Sequence, residues 1–334
     1  FLFAFLVFLS HSAFIFQQYP VSVWPLNHVF SEGKAALCFF FILSGFLLTK
    51  VYGHDLVAKN ISWREFLQKR VVRIYPMHLL ALLLSIPYFV LKAIHKGEAL
   101  FSAESIRNLF FNASLLHSLV PDREVYFSFN APSWSMSVTM LFYLIFPFLV
   151  YLAYKYKKVF VGLVVLLAGI LVICISLYAH DSGYSHYLFY INPVVRLLDF
   201  MVGIALYMML KDLKYKVTFT TATLLEVLAF ASLVAALLLH GYVAEPFRYA
   251  VYYWMPAVLI IAVSYFQRGY ISRLLSKRWL VFLGNISLSF YLLHWVVLNY
   301  ITGINYQLGI TDDGLGLFIL SFIAVLVCSS LSYL

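Results

Sequence analysis

Six ionisable side chains interrupt otherwise apolar runs of this sequence: His11, His78, Arg196, Asp199, Glu226 and His294. Such groups are costly to bury, so each marks either a working site or a partnered one. His11, in FLVFLSHSAF, is the lone titratable side chain of its run and is flanked by Ser10 and Ser12. An imidazole there can take a proton from a hydroxyl, which makes His11 the candidate general base. Arg196 and Asp199 stand three apart in NPVVRLLDF and share a helix face, as an ion pair or as substrate contacts. His294 with Trp295 reads as an interfacial anchor or a supporting group, and His78 as a ligand donor or an interhelical hydrogen bond. Glu226 has no partner close in sequence and reads as an interhelical or headgroup contact.

A second kind of chemistry lies in KRVVRIYPMH, where Lys69, Arg70 and Arg73 stand at the foot of a long apolar run, followed by Tyr75 and Pro76. Two arginines three apart share one face, and guanidinium forks suit phosphate. The simpler reading of the cluster is topological, since Lys and Arg mark cytoplasmic loops. In FFILSGFLL, the Ser44–Gly45 step permits either close helix approach or a gap for a ligand. No His pair has HxxxH or HxH spacing, so no metal is expected. Cys38, Cys174 and Cys328 all lie in apolar runs and read as packed thiols.

The elements that must position these residues follow from composition. The 334 residues are 63% hydrophobic and 11% charged, against about 25% charged in soluble chains. The fold class is therefore all-α: a polytopic membrane protein in one bundle, set in a lipid bilayer. Spans of about 20 apolar residues are predicted at 1–18, 33–50, 73–94, 134–154, 158–179, 190–210, 219–240, 248–266, 279–301 and 313–334. Of the 23 Lys and Arg residues, sixteen then fall after the second, fourth, sixth and eighth spans, six fall on the other side, and Arg196 lies within a span. That bias puts the sixteen, and both termini, in the cytoplasm of a cell-membrane protein. The net charge of +9 is absorbed by this asymmetry and gives no reason to expect nucleic acid. Residues 95–133 form a long outer-face connection, a cover for an outward-facing site or a simple connector. No cleavable signal peptide, internal repeat or separate soluble domain is expected from these residues, and both ends read as clipped. A transporter or flippase would also suit many spans with buried charges, although repeats and broken helices are lacking.

Five stretches in order, FFFILSGFLLTK (39–50), KRVVRIYPMHLL (69–80), APSWSMSVTMLFYLIFP (131–147), NPVVRLLDFMVG (192–203) and LGNISLSFYLLHW (283–295), resemble the acyltransferase-3 family of integral membrane acyltransferases. The resemblance covers nearly the whole chain and implies one acyltransferase domain, 1–334, of about ten helices. It implies transfer of an acyl group, usually acetyl from cytoplasmic acetyl-CoA, to a hydroxyl of an extracytoplasmic glycan or glycolipid. The family's presumed catalytic histidine falls on His11, its helix-1 Arg would precede Phe1, and its Arg-x-x-Arg falls on Arg70 and Arg73. Arg70, Arg73, Tyr75, Ser44 and Gly45 are then expected on the acyl-CoA side, and Trp134, Ser137, Arg196, Asp199 and His294 on the acceptor or supporting side. The helix-1 spacing lifts His11 about 16 Å from the membrane face at 1.5 Å per residue. The base would assist direct attack on the thioester or relay an acyl-histidine, with Ser44, Ser137 or Tyr75 as oxyanion donor. One departure is Thr139 in WSMSVT, where the family commonly has Glu. It leaves open a divergent acceptor or a member that has lost activity.

Overall fold

The structure, a computed structural model, describes residues 1–18, 32–97, 102–178, 182–213 and 217–332. Lys214 and Lys216 of the charge asymmetry, and the last residues of two expected spans, lie outside these. Among the described residues there are helices and connections and no strand. Among the described residues nine helices are long and apolar enough to cross a membrane, and Leu2–Gln18 is a shorter apolar helix. The ten expected spans thus each meet a helix. The protein is an all-α polytopic membrane protein. Helix is the natural outcome, since a span in lipid must satisfy its backbone internally, and for the same reason Pro76, Pro87 and Pro147 stay inside helices without ending them.

One expectation changes, and one connection gains detail. The basic stretch is not the foot of its helix, which begins at Trp63 and runs to Lys96. Ser62 caps it by accepting the Glu65 amide at 3.1 Å, half of an S-x-x-E capping box. Arg70 and Arg73 therefore lie roughly 10 and 15 Å along the axis from Trp63. The connection after Lys96, expected as a cover or a simple connector, folds back onto the helix it leaves. Its helix Ala103–Ala113 returns along the parent helix: Tyr75 donates to the Ala113 carbonyl at 2.9 Å and His78 Nε2 bonds the Asn112 carbonyl at 2.9 Å. These contacts lie roughly 27–31 Å along the helix from its Lys96 end.

The chain divides into two compact units. The first comprises Phe1–Gly33, Val72–Ser137 and Phe282–Leu334. Its core is aromatic: Phe8 meets Phe290, Phe318 and Phe322 with ring centroids 5.4–5.8 Å apart. Phe8 and Phe290 are fully buried.

The second unit comprises Lys34–Val71 and Val138–Val281. Here the helices Lys34–Val57 and Pro193–Leu210 cross at Gly45 and Gly203. A Cβ on Gly45 would run into the Phe200 carbonyl, and one on Gly203 into the Ile42 carbonyl and Phe46 amide. Absent side chains let the two backbones touch. Phe142 stacks on Phe200 at 4.9 Å beside the crossing. Glu226, buried in the Phe219–Leu239 helix, accepts the amides of Gly269, Ile271 and Ser272 and the Ser272 hydroxyl at 2.5–3.3 Å. It is an interhelical contact, a carboxylate that caps the Tyr270–Leu275 turn from a neighbouring helix.

Candidate functional site

Within the first unit, the Leu2–Gln18 and Ser287–Leu308 helices bring His11 and His294 together. His11 Nδ1 lies 2.8 Å from His294 Nε2. The planes differ by 2° with centroids 5.1 Å apart. Since 2.8 Å is shorter than any face-to-face spacing, the rings meet edge to edge in a common plane, joined by a hydrogen bond. His294 is fully buried, so it is no interfacial anchor, whereas His11 keeps partial exposure. On its other edge His294 Nδ1 meets the Tyr291 carbonyl at 2.5 Å. Trp295 closes over His11, ring edge to face at 5.3 Å. The flanking serines take no part: Ser10 and Ser12 donate to the Val7 and Leu9 carbonyls of their own helix.

The turn of helix bearing His294 is itself tied down. The Tyr291 hydroxyl donates to the Pro132 carbonyl at 2.9 Å and lies 2.7 Å from the Ser135 hydroxyl. Asn130 donates to the Leu292 carbonyl at 2.9 Å. Residues 130–135 thus fix the height and rotation of the helix beside His294. The same segment reaches a second polar group, because Ser133 contacts Asn112 and His117, each at 3.3 Å. His117 and His78 lie with parallel rings 6.3 Å apart. Burial, with the nearby His78, pushes His117 down to about 3, so its imidazole stays neutral.

The remaining expected residues divide. Ser137 spends its hydroxyl on the Leu115 carbonyl and Ser118, both at 2.7 Å, pinning the folded-back connection. Tyr75 does the same through Ala113. A hydroxyl proton already given to a carbonyl is not free for an oxyanion. Trp134 is buried at the start of the Trp134–Lys155 helix, and Thr139 is buried one turn later. In the second unit, Gly45 is enclosed by the Phe200 backbone, so packing rather than a ligand gap explains it; Ser44 beside it is half-buried. Arg70 is held by Tyr52, donating to its hydroxyl at 2.6 Å with the guanidinium 4.7 Å over the ring. Arg73, one turn on, is exposed.

Arg196 and Asp199 pair at 2.7 Å with side chains 1% and 2% exposed. The Arg196 guanidinium also donates to the Tyr249 carbonyl at 2.5 Å and covers the Phe41 ring at 5.1 Å, while Asp199 accepts the Trp254 indole N–H. The pair is a buried ion-pair network in which the Arg196 Nε is left without a hydrogen-bond partner. The residues that sequence reasoning passed over are Tyr291, Asn130 and Ser135. The available signal was the two isolated imidazoles, since polar groups in apolar spans tend to find one another. Among the described residues no group of His, Cys, Asp and Glu is arranged to hold a metal.

The family model for the acyltransferase-3 family, described as "Acyltransferase domain", matches residues 1–334. The chain is similar to the acyltransferase MdmB of Streptomyces mycarofaciens, 27% identical over 82% of this chain and 70% of that protein. It is similar to the putative peptidoglycan O-acetyltransferase YrhL of Bacillus subtilis, 27% identical over 85% of this chain and 47% of that protein. It is also similar to the peptidoglycan O-acetyltransferase OatA of Listeria monocytogenes, 25% identical over 94% of this chain and 52% of that protein. The chain thus spans about half the length of the latter two relatives. No solved structure matches the chain.

Proposed function

This chain belongs to the acyltransferase-3 family, and on that premise we propose that it transfers an acyl group, acetyl in the first instance, from acyl-CoA to a hydroxyl of an extracytoplasmic glycan. Two relatives carry peptidoglycan O-acetylation in their names, which supports a carbohydrate acceptor and an acetyl group. The observation that carries the reading is the His11–His294 pair: one partly exposed imidazole, held edge to edge by a fully buried one. An orienting partner behind a proton-accepting ring is the arrangement that general-base catalysis requires.

The residues act as follows. His11 takes the proton of the acceptor hydroxyl as its oxygen attacks the thioester carbonyl carbon. The carbon–sulfur bond breaks as the ester forms. The thiolate of CoA recovers the proton from His11 and leaves as the thiol. Arg70, steadied by Tyr52, and Arg73, one turn along the same helix, supply positive charge for the CoA phosphates. Trp134 and Ser137 stand on the acceptor side, Ser137 by fixing the folded-back connection. Arg196 and Asp199 act in support, as a buried ion pair within their own unit. The whole span 1–334 serves as one acyltransferase domain of the cytoplasmic membrane, with both termini in the cytoplasm. No metal takes part.

The test is acetyl transfer by the purified protein in nanodiscs, with labelled acetyl-CoA and peptidoglycan fragments. Labelled glycan formed in proportion to protein supports the reading. Labelled acetyl-CoA left wholly intact, with glycan fragment accumulating inside sealed proteoliposomes instead, would replace it with a transporter.

A further inference from the structure

The pair of histidines fixes more than an orientation. A carbonyl oxygen only accepts hydrogen bonds, so the Tyr291 carbonyl, 2.5 Å from His294 Nδ1, requires the proton of His294 on that nitrogen. Nε2 of the same neutral ring is then a bare lone pair. It lies 2.8 Å from His11 Nδ1, which must donate to it. The His11 proton is thereby placed on Nδ1 and its Nε2 is left as the proton acceptor. Each step follows from one fixed acceptor at the head of the chain.

We propose that His294 is a positioning residue which, primed by the Tyr291 carbonyl, holds His11 in the Nδ1–H tautomer and aims its Nε2 lone pair at the acceptor hydroxyl. The proposal rests on His11 being the base, and it adds which nitrogen acts and what keeps it free. A free neutral imidazole prefers its proton on Nε2, which would block that nitrogen. The relay therefore works against the ring's own preference. It is well built for this: His294 is fully buried, and its helix turn is held by Asn130 on the Leu292 carbonyl and by the Tyr291 hydroxyl on Pro132 and Ser135. The energetic logic resembles that of a buried carboxylate behind a catalytic histidine, with a neutral ring and a peptide carbonyl in its place.

The experiment has two readouts. Long-range proton–nitrogen correlation spectra of the ¹⁵N-histidine-labelled protein in micelles report tautomers directly, His11 being identified by its loss in His11→Gln. In the wild type both His11 and His294 are expected as Nδ1–H tautomers. In His294→Leu, His11 should revert to Nε2–H, and kcat should fall about tenfold or more with KM for acetyl-CoA unchanged. His294→Gln, whose side-chain oxygen can accept from His11 Nδ1, should restore the tautomer and part of kcat. The proposal is overturned if wild-type His11 carries its proton on Nε2, or if His294→Leu turns over within twofold of wild type. Should His294→Leu fail to fold, the wild-type spectrum and the Gln variant still decide. A wild-type Nδ1–H signal together with full transfer by His11→Gln would sink the general-base reading and leave the tautomer assignment standing.

Discussion

Removing one member of the Arg196–Asp199 pair should destabilise the protein more than removing both does per residue. The two side chains are 1% and 2% exposed and 2.7 Å apart. Arg196→Leu leaves Asp199 buried with the Trp254 indole as its remaining partner, a loss of about 3–5 kcal/mol for an orphaned buried charge. Asp199→Leu leaves the guanidinium with the Tyr249 carbonyl and the Phe41 face, at a similar loss of about 3–5 kcal/mol. In the double variant no charge is orphaned. What is lost is the bond of the Tyr249 carbonyl to Arg196 and that of the Trp254 N–H to Asp199, about 1–3 kcal/mol each. The double loss is then roughly 2–6 kcal/mol against a sum of the singles of roughly 6–10 kcal/mol, so the mid-range coupling is about 4 kcal/mol. Unfolding by SDS titration in mixed micelles measures all four proteins of the cycle. Strict additivity would show that the two side chains are not energetically coupled. So would single variants of wild-type stability whose only defect is a raised acceptor KM, which would return Arg196 to the acceptor site.

Other consequences follow from the same contacts. Glu226→Ala strips the Tyr270–Leu275 turn of its cap and of four hydrogen bonds; it should lower stability by about 2–4 kcal/mol, and an unchanged thermal midpoint in detergent would refute the capping role. Gly45→Val forces a side chain into the Phe200 carbonyl, so expression of folded protein should drop sharply, while Ser44→Ala should be tolerated; equal behaviour of the two, by size-exclusion profile, would argue against a backbone contact there. Arg70→Ala with Arg73→Ala should weaken acetyl-CoA binding about tenfold or more in a filter-binding or calorimetric titration, and unchanged affinity would remove the phosphate role from this helix.

Much of this was legible in the chain, for a physical reason. Lipid forces each span to be a continuous helix of about 20 residues, so hydropathy alone placed ten helices, and His11 stood out as a lone imidazole among leucines and phenylalanines. What escaped was long-range. Ser62 and Glu65 spelled a helix start ten residues before the apolar run, so the helix reaches further back than hydropathy marks. The 95–133 connection carries Asn108 and Asn112, polar residues that look solvent-bound in sequence but bond inward to Glu124 and Ser128. His294 beside Trp295 imitated an interfacial anchor because sequence shows neighbours along the chain, not the His11 ring that meets it from 283 positions away. Gly45 admitted two readings until Gly203 appeared opposite it.

The proposed chemistry rests on His11, and the most direct measurement is the rate of acetyl transfer by His11→Gln in nanodiscs, with acetyl-CoA binding followed in parallel. A general base contributes about 10²–10⁴-fold. Turnover should fall by a factor in that range, with donor affinity and thermal midpoint close to wild type. Turnover within a fewfold of wild type, with the variant equally folded, would contradict this role of His11.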